Sequence, residues 1–274
     1  MTEITAGLVK ELRELTGLGM MECKKALTEA GGDLKKAEEL LRIKGGARAK
    51  LSGRVAGEGV VAGYLSADAK LGALVEVNCE TDFVARNEDF CAFAAWLAEF
   101  VATHDPADPA EVTRAGEVER RLQALVQKIK ENISIRRFER MQAQAKLARY
   151  VHGDRIGVLV DYDGADDVGK DVAMHISFAR PAYLAKAEVP AEAVARERAI
   201  LAARARESGK PAEIAARMVE GGLNKFLGEI TLLGQPFVKD DKQTVERMLA
   251  SRKTRVLGYR FLVLSEGIEK KRAA

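Results

Sequence analysis

"GYLSADAKLGALVEVN", Gly63 to Asn78, is the stretch on which the fold turns, because "RYVHGDRIGVLVDYDG", Arg149 to Gly164, parallels it. Both read as a strand, a turn and an apolar strand. A helix-like segment follows each, "EDFCAFAAWLAEFVA" in the first case and "GKDVAMHISFARPAYLA" in the second. A later pair also matches: "EVERRLQALVQKIKENISIRRFERM" (Glu117 to Met141) and "TVERMLASRKTRVLGYRFLVL" (Thr244 to Leu264) each lead from an amphipathic helix into a strand. The body is therefore expected to be duplicated, each half a three-stranded antiparallel sheet covered by helices, which is an α+β architecture. Two similar faces on one body suit a broad contact with a partner better than a single buried catalytic cleft.

The second copy carries an insertion, "VPAEAVARERAILAARARESGKPAEIAARMVEGGLNKFLGEI". Its Ala-rich composition on either side of Ser208-Gly209-Lys210-Pro211 predicts two antiparallel helices joined by a turn, a protruding hairpin. Such an arm suits a homodimer or another partner contact, and a solvated arm is the plainer alternative. Ahead of the body, Leu8, Val9, Leu12 and Leu15, then Met20, Cys23, Ala26, Leu27 and Ala30, then Leu34, Ala37, Leu40 and Leu41 recur at helical spacing. Asp33 is placed to cap the third of these helices. The expected plan is a helical head at 1–45, a Gly-rich basic linker at 46–59, a first half at 60–147, and a second half at 148–274 with the hairpin at about 190–233. The head resembles a ubiquitin-associated domain, in which the turn between the first two helices meets a partner. Met20 and Met21 adjoin that turn; they suit an adaptable contact surface, or else both simply pack.

Composition narrows the functional classes. The 274 residues hold 44 basic and 41 acidic side chains, a net charge of only +3, and that near-balance argues against a dedicated nucleic-acid binder. No apolar run reaches the roughly 20 residues needed to span a bilayer, and the start "MTEITAGLVKEL" is no secretory h-region. Cys23, Cys79 and Cys91 are odd in number and lack CxxC spacing, which speaks against a disulfide framework or zinc site. A cytoplasmic location is expected.

Catalytic material is sparse. His104, His152 and His175 lie far apart, with no Asp or Cys at a familiar motif spacing. His175 falls in the apolar helix pattern "VAMHISFA", and His152 in the turn "VHGDRIG". "GADDVGKD", Gly164 to Asp171, has the spacing of a phosphate-binding loop after a strand. However, Asp171 replaces the magnesium-binding hydroxyl, and Asp166-Asp167 would set two carboxylates where phosphates must sit. A nucleotide-binding enzyme is thus an alternative with little support. At "LVEVNCETDFVARNEDF", Leu74 to Phe90, an apolar strand gives way to Glu80-Thr81-Asp82 and then Phe83. On pattern alone, Thr81 or Asp82 caps the following helix and Phe83 packs beneath it.

In order along the chain, "TGLGMMECKKALTEAGGD", "VNCETDFVARNEDF", "KIKENISIRR", "HGDRIGVLV", "DVAMHISFARPAYL" and "MVEGGLNKFLGEITLLGQPFVKD" closely resemble the bacterial translation elongation factor Ts family, over essentially the whole length. The resemblance implies a nucleotide-exchange factor rather than an enzyme, with no cofactor or metal of its own and no direct contact with nucleic acid or membrane. Its implied partner is elongation factor Tu, GDP-bound and then nucleotide-free. By position, Asp82 and Phe83, flanked by Thr81 and Val84, match the pair that intrudes near the partner's magnesium site. Ile129 and Asn132 match a neighbouring contact stretch. Arg13, Met20 and Met21 match head residues that grip the partner's GTPase domain, and His152 matches a contact of the second half. A ubiquitin-type adaptor working through the head is the remaining alternative, and it leaves the duplicated body without a purpose.

Overall fold

The computed structural model describes residues 4–16, 20–43, 51 and 53–268, so most of the linker and the head's first turn at 17–19 lie outside the described residues. In the head, α1 (Ala6–Thr16), α2 (Met20–Glu29) and α3 (Leu34–Ile43) close on a small core of Val9, Leu12, Cys23, Ala26, Leu27 and Ala37. Asp33 caps α3, its Oδ1 accepting from the Lys35 and Lys36 N–H groups at 3.0 and 3.1 Å. Met20, expected in the apolar stripe of α2, is exposed instead. So small a core has no room for it beside Cys23 and Leu27.

The first half runs β1 (Glu58–Leu65), β2 (Leu71–Cys79), α4 (Asp82–Ala85), α5 (Glu88–His104), α6 (Pro109–Arg114), α7 (Gly116–Ile129) and β3 (Ser134–Gln142). The second runs β4 (Lys146–His152), β5 (Ile156–Asp163), α8 (Asp166–Ala179), the hairpin helices α9 (Ala191–Glu207) and α10 (Ala212–Ile230), a small ribbon of β6 (Pro236–Phe237) and β7 (Asp240–Thr244), α11 (Val245–Ser251) and β8 (Arg255–Val263). The antiparallel sheets are ordered β1-β2-β3 and β4-β5-β8, so each half returns its last strand to the outer side of its central strand. The duplicated α+β body, the three-helix head and the hairpin are as the sequence predicts. Three local features differ. α8 stops at Ala179, because Arg180 turns left-handed (φ 46°) and Pro181 follows. The strand-to-helix junction of the first half holds two helices, α4 capped by Thr81 and α5 capped by Asn87. The ribbon of β6 and β7 is too short to leave a periodic signal.

The two sheets pack back to back, which is why their central strands are apolar on both faces. In β2, Ala73, Val75 and Val77 face the helices of their own half, while Leu74 faces the other half; Val158, Val160 and Leu159 divide in the same way in β5. Leu74 and Leu159 meet Val61, Leu262 and Leu264 between the sheets. The approach depends on two glycines at matching places. A Cβ at Gly72 would lie 3.0 Å from Leu159 and 3.1 Å from Leu147, and one at Gly157 would lie 2.9 Å from Leu74 and 2.7 Å from Val61.

Backbone hydrogen bonds cross between the halves in the same two-fold manner. Val61 N–H donates to Asp154 O and Leu147 N–H to Ala69 O, both at 2.7 Å. Within each half a second matched bond follows the last strand: Ala143 N–H donates to Lys70 O at 2.8 Å in the first, and Leu264 N–H to Arg155 O at 2.7 Å in the second. A buried carboxylate in each central strand completes the set. Glu76 accepts from Ser265 N–H at 2.8 Å, just beyond β8, and Asp161 accepts from Gln144 N–H at 2.8 Å, just beyond β3. Burial alone would raise the pKa of Glu76. Arg137, at 2.6 Å, the Ser265 N–H and Arg136, at 2.8 Å, together hold it below the ordinary carboxylate range.

Two expectations follow from this packing. Gly157→Val drives methyl groups into Val61 and Leu74 and is expected to cost about 1–3 kcal/mol in denaturant unfolding. His175 is buried; its Nδ1 accepts from Val238 N–H at 3.2 Å, so its Nε2–H donates to Gln235 Oε1 at 3.0 Å. Burial lowers its pKa from the ordinary 6.5, so the neutral ring contributes stability above that pH and loses it as the pH falls. Unfolding at pH 7 and pH 5 is expected to show a smaller acid loss for His175→Gln than for the parent.

Candidate functional site

The junction after β2 is held in place from below and open above. Thr81, extended at φ −123° and ψ 155°, starts the single turn α4 and accepts from Val84 N–H at 3.4 Å. From the end of α7, Glu131 reaches across: its Oε2 accepts from Glu80 N–H at 3.0 Å and Thr81 N–H at 3.1 Å, and its Oε1 takes the Thr81 hydroxyl at 2.7 Å. In return, Glu80 Oε1 accepts from Asn132 N–H at 2.7 Å, and the Asn132 side-chain amide donates to Arg54 O at 2.7 Å. Two thiols close the turn, Cys79 donating to Thr81 O at 3.2 Å and Cys91 to Ala85 O at 3.3 Å. Val84 and Ala85 pack onto the core of the first half.

Phe83 does not pack beneath the cap. Its side chain is 82% exposed, so the residue beneath the turn is Val84. Asp82 stands beside it, its carboxylate 3.2 Å from Arg86 in a solvent-exposed pair. A pair of that kind is worth little and separates easily. The loop thus displays a phenyl ring and a carboxylate on a backbone held by charge-assisted bonds.

The other sequence candidates fall into separate groups. Asn132 is buried in the scaffold of the loop, and Ile129 is half-buried against the core of the first half. Asn132 therefore sits beneath the loop, through Glu80, rather than beside Asp82 and Phe83 on the surface. His152 is exposed on the second half and meets Tyr150 Oη at 3.1 Å. Tyr150 and Cys91 line one cleft of about 480 Å³ between the halves, which links the α4–α5 corner to the strand carrying His152. On the head, Arg13, Met20 and Met21 are exposed, together with Leu15, which recurs at helical spacing with Leu8, Val9 and Leu12. Its position in the last turn of α1 left its direction undetermined by spacing alone. Glu131 was also missed: its partners are 50 and 51 positions away, and no local pattern carries that pairing.

"GADDVGKD" makes no phosphate cradle. α8 begins at Asp166, leaving only Gly164 and Ala165 between strand and helix, and Gly169 lies within the helix. A Cβ on Gly169 would sit 2.4 Å from the Tyr162 ring, so this glycine serves helix–strand packing. Asp166 pairs with Lys146, Asp167 with Arg252 and Asp171 with Lys239. Among the described residues, no group of three or more His, Cys, Asp and Glu is placed to hold a metal ion, and no helix is long and apolar enough to cross a membrane.

Comparison with known proteins converges on one family. The family model for Elongation factor TS matches residues 80–266, which begin at this loop and run through the second half. Over 99% of its length the chain is 58% identical to Elongation factor Ts of Bordetella petrii, covering 94% of that protein. The corresponding protein of Nitrosospira multiformis is 57% identical, with 99% of this chain and 93% of that one covered.

The two anchors of the loop are separable by stability. Thr81→Ala removes a cap and a charge-assisted bond and is expected to cost about 1–2 kcal/mol. Arg86→Ala breaks only the exposed pair and is expected to cost less than about 0.5 kcal/mol in the same denaturant titration.

Proposed function

Since the chain belongs to the elongation factor Ts family, we propose that it is a guanine-nucleotide exchange factor for elongation factor Tu and catalyses no bond chemistry of its own. It binds the GDP-bound GTPase, disturbs the magnesium and phosphate site, and stabilises the nucleotide-free form until GTP enters. The observation that carries this reading is Phe83, a phenyl ring 82% exposed on a pinned turn with a weakly held carboxylate beside it. A large exposed aromatic on an ordered backbone is costly in water and suits a pocket on a partner.

In this mechanism Phe83 wedges between side chains of the partner, and Asp82 exchanges Arg86 for partner groups that indirectly hold magnesium. Loss of magnesium removes the main neutralising charge on the β-phosphate, so GDP binds more weakly. Arg13, Met20 and Met21 of the head grip the GTPase domain, and His152 touches the partner from the second half. Ile129 and Asn132 belong to the neighbouring contact stretch, and Asn132 also braces the intruding loop through Glu80. The free energy is differential: the factor binds the nucleotide-free partner more tightly than the GDP-bound one, and by linkage weakens GDP by the same factor. The hairpin of α9 and α10, with Ile200, Ile214 and Met218 exposed, is a candidate homodimer contact. The expected site of action is the cytoplasm.

The test is stopped-flow release of a fluorescent GDP from elongation factor Tu. The parent chain is expected to accelerate release strongly, and Phe83→Ala and Asp82→Ala each to lose at least about tenfold while still binding, a rise of about 1.4 kcal/mol in the barrier. Failure of the parent to accelerate release would refute the proposal.

A further inference from the structure

We propose that Glu131 is the positioning residue of the exchange loop: its carboxylate aims Phe83, and the maximal exchange rate depends on it although it need not touch the partner. The inference rests on the exchange reading above. A ring that is 82% exposed has almost no packing of its own, so only its backbone can direct it. That backbone is a single turn of four residues, too short to be stable by itself. Its order has to come from outside.

Glu131 supplies that order from a rigid base. It follows Lys130, the left-handed residue (φ 63°) that ends α7, and the Val118, Leu122, Leu125 and Val126 face of α7 is buried in the core of the first half. From there one carboxylate takes three donors, the Glu80 and Thr81 N–H groups and the Thr81 hydroxyl. The third bond matters most for direction. With the Thr81 hydroxyl hydrogen committed to Glu131, the lone pairs of Oγ1 are left to Val84 N–H, the bond that closes the turn around Phe83. The carboxylate therefore both anchors the entry to the turn and orients its cap. Cys79 and Cys91 add only weak thiol donors, and their protonated forms are secured by raised pKa values, that of Cys79 pushed up to about 12 by burial and then by the charge of Glu131.

Glutamine is the informative replacement. Its single oxygen cannot serve all three donors, and its NH2 would face donors rather than acceptors. Glu131→Gln therefore loosens the turn while keeping shape and size. A purely structural role would show as lost stability; a positioning role shows as lost aim. The readouts are the maximal rate of GDP release at saturating factor, the Kd for the nucleotide-free partner, thermal unfolding, and the local order of position 83. For the last, the chain's one tryptophan, Trp96, is replaced by Phe and Phe83→Trp supplies the reporter, read by time-resolved anisotropy.

In Glu131→Gln the maximal release rate is expected to fall about tenfold, a barrier change of about 1.4 kcal/mol. The Kd is expected to stay within about threefold and the melting temperature within a few degrees, while the reporter at position 83 gains fast motion. Thr81→Val, which removes the hydroxyl but leaves Glu131 its two backbone donors, is expected to show the same pattern more weakly, and it replaces the glutamine variant if that one does not fold. Unchanged maximal rate and anisotropy in the folded variant, with the parent active and Phe83→Ala impaired, would overturn the positioning role while leaving the exchange reading intact. An inactive parent would refute the exchange reading instead, and the anisotropy would still decide whether Glu131 orders the turn.

Discussion

Two buried carboxylates, Glu76 and Asp161, tie the halves of the body together, and the relative placement of the candidate contacts on those halves depends on that tie. Each lies in a central strand and accepts from a backbone N–H just beyond the last strand of the opposite half, Ser265 for Glu76 and Gln144 for Asp161. Parting the halves would strip each buried carboxylate of a backbone donor, leaving Glu76 only Arg136 and Arg137 of its own half and taking the Gln144 N–H from Asp161. Gly72 and Gly157 allow the sheets to come close enough for these bonds to form. The result is one body whose two halves share a packed seam and hydrogen bonds on both sides of it.

A body joined in that way bears directly on the proposed exchange. A factor that lowers another protein's affinity for GDP must spend contact energy on the partner's distortion rather than on its own ordering. Fixing the backbone of a residue costs roughly 1–2 kcal/mol, so a loop of several residues that ordered only on contact would consume much of the available energy. Here the turn from Thr81 to Ala85 is already ordered, by Glu131 at its entry and by Val84 and Ala85 beneath. The ring of Phe83 and the weakly paired carboxylate of Asp82 are the parts left free to act.

Much of this is legible in the sequence, and what is not has identifiable causes. The duplication is readable because both central strands are buried on both faces and so keep the same apolar run, Gly72 to Val77 and Gly157 to Tyr162. The cap at Thr81 is a local pattern and is readable too. The direction of Phe83 is not, because capping and packing leave the same letters and only the three-dimensional supply of apolar surface decides that Val84 fills the space. Exposure of Met20 and Leu15 fails for a similar reason: helical spacing marks a stripe, but a head this small buries only its centre. Glu131 lies furthest from reach, since its role arises from bonds to residues some fifty positions away.

The central claim is that the protein works by binding two states of a partner unequally. Titration calorimetry of the factor against nucleotide-free and against GDP-bound elongation factor Tu tests it most directly. The account predicts tighter binding to the nucleotide-free form, by the same ratio by which the factor raises the Kd for GDP. Equal affinity for the two forms would contradict it, because a ligand that does not discriminate between states shifts neither.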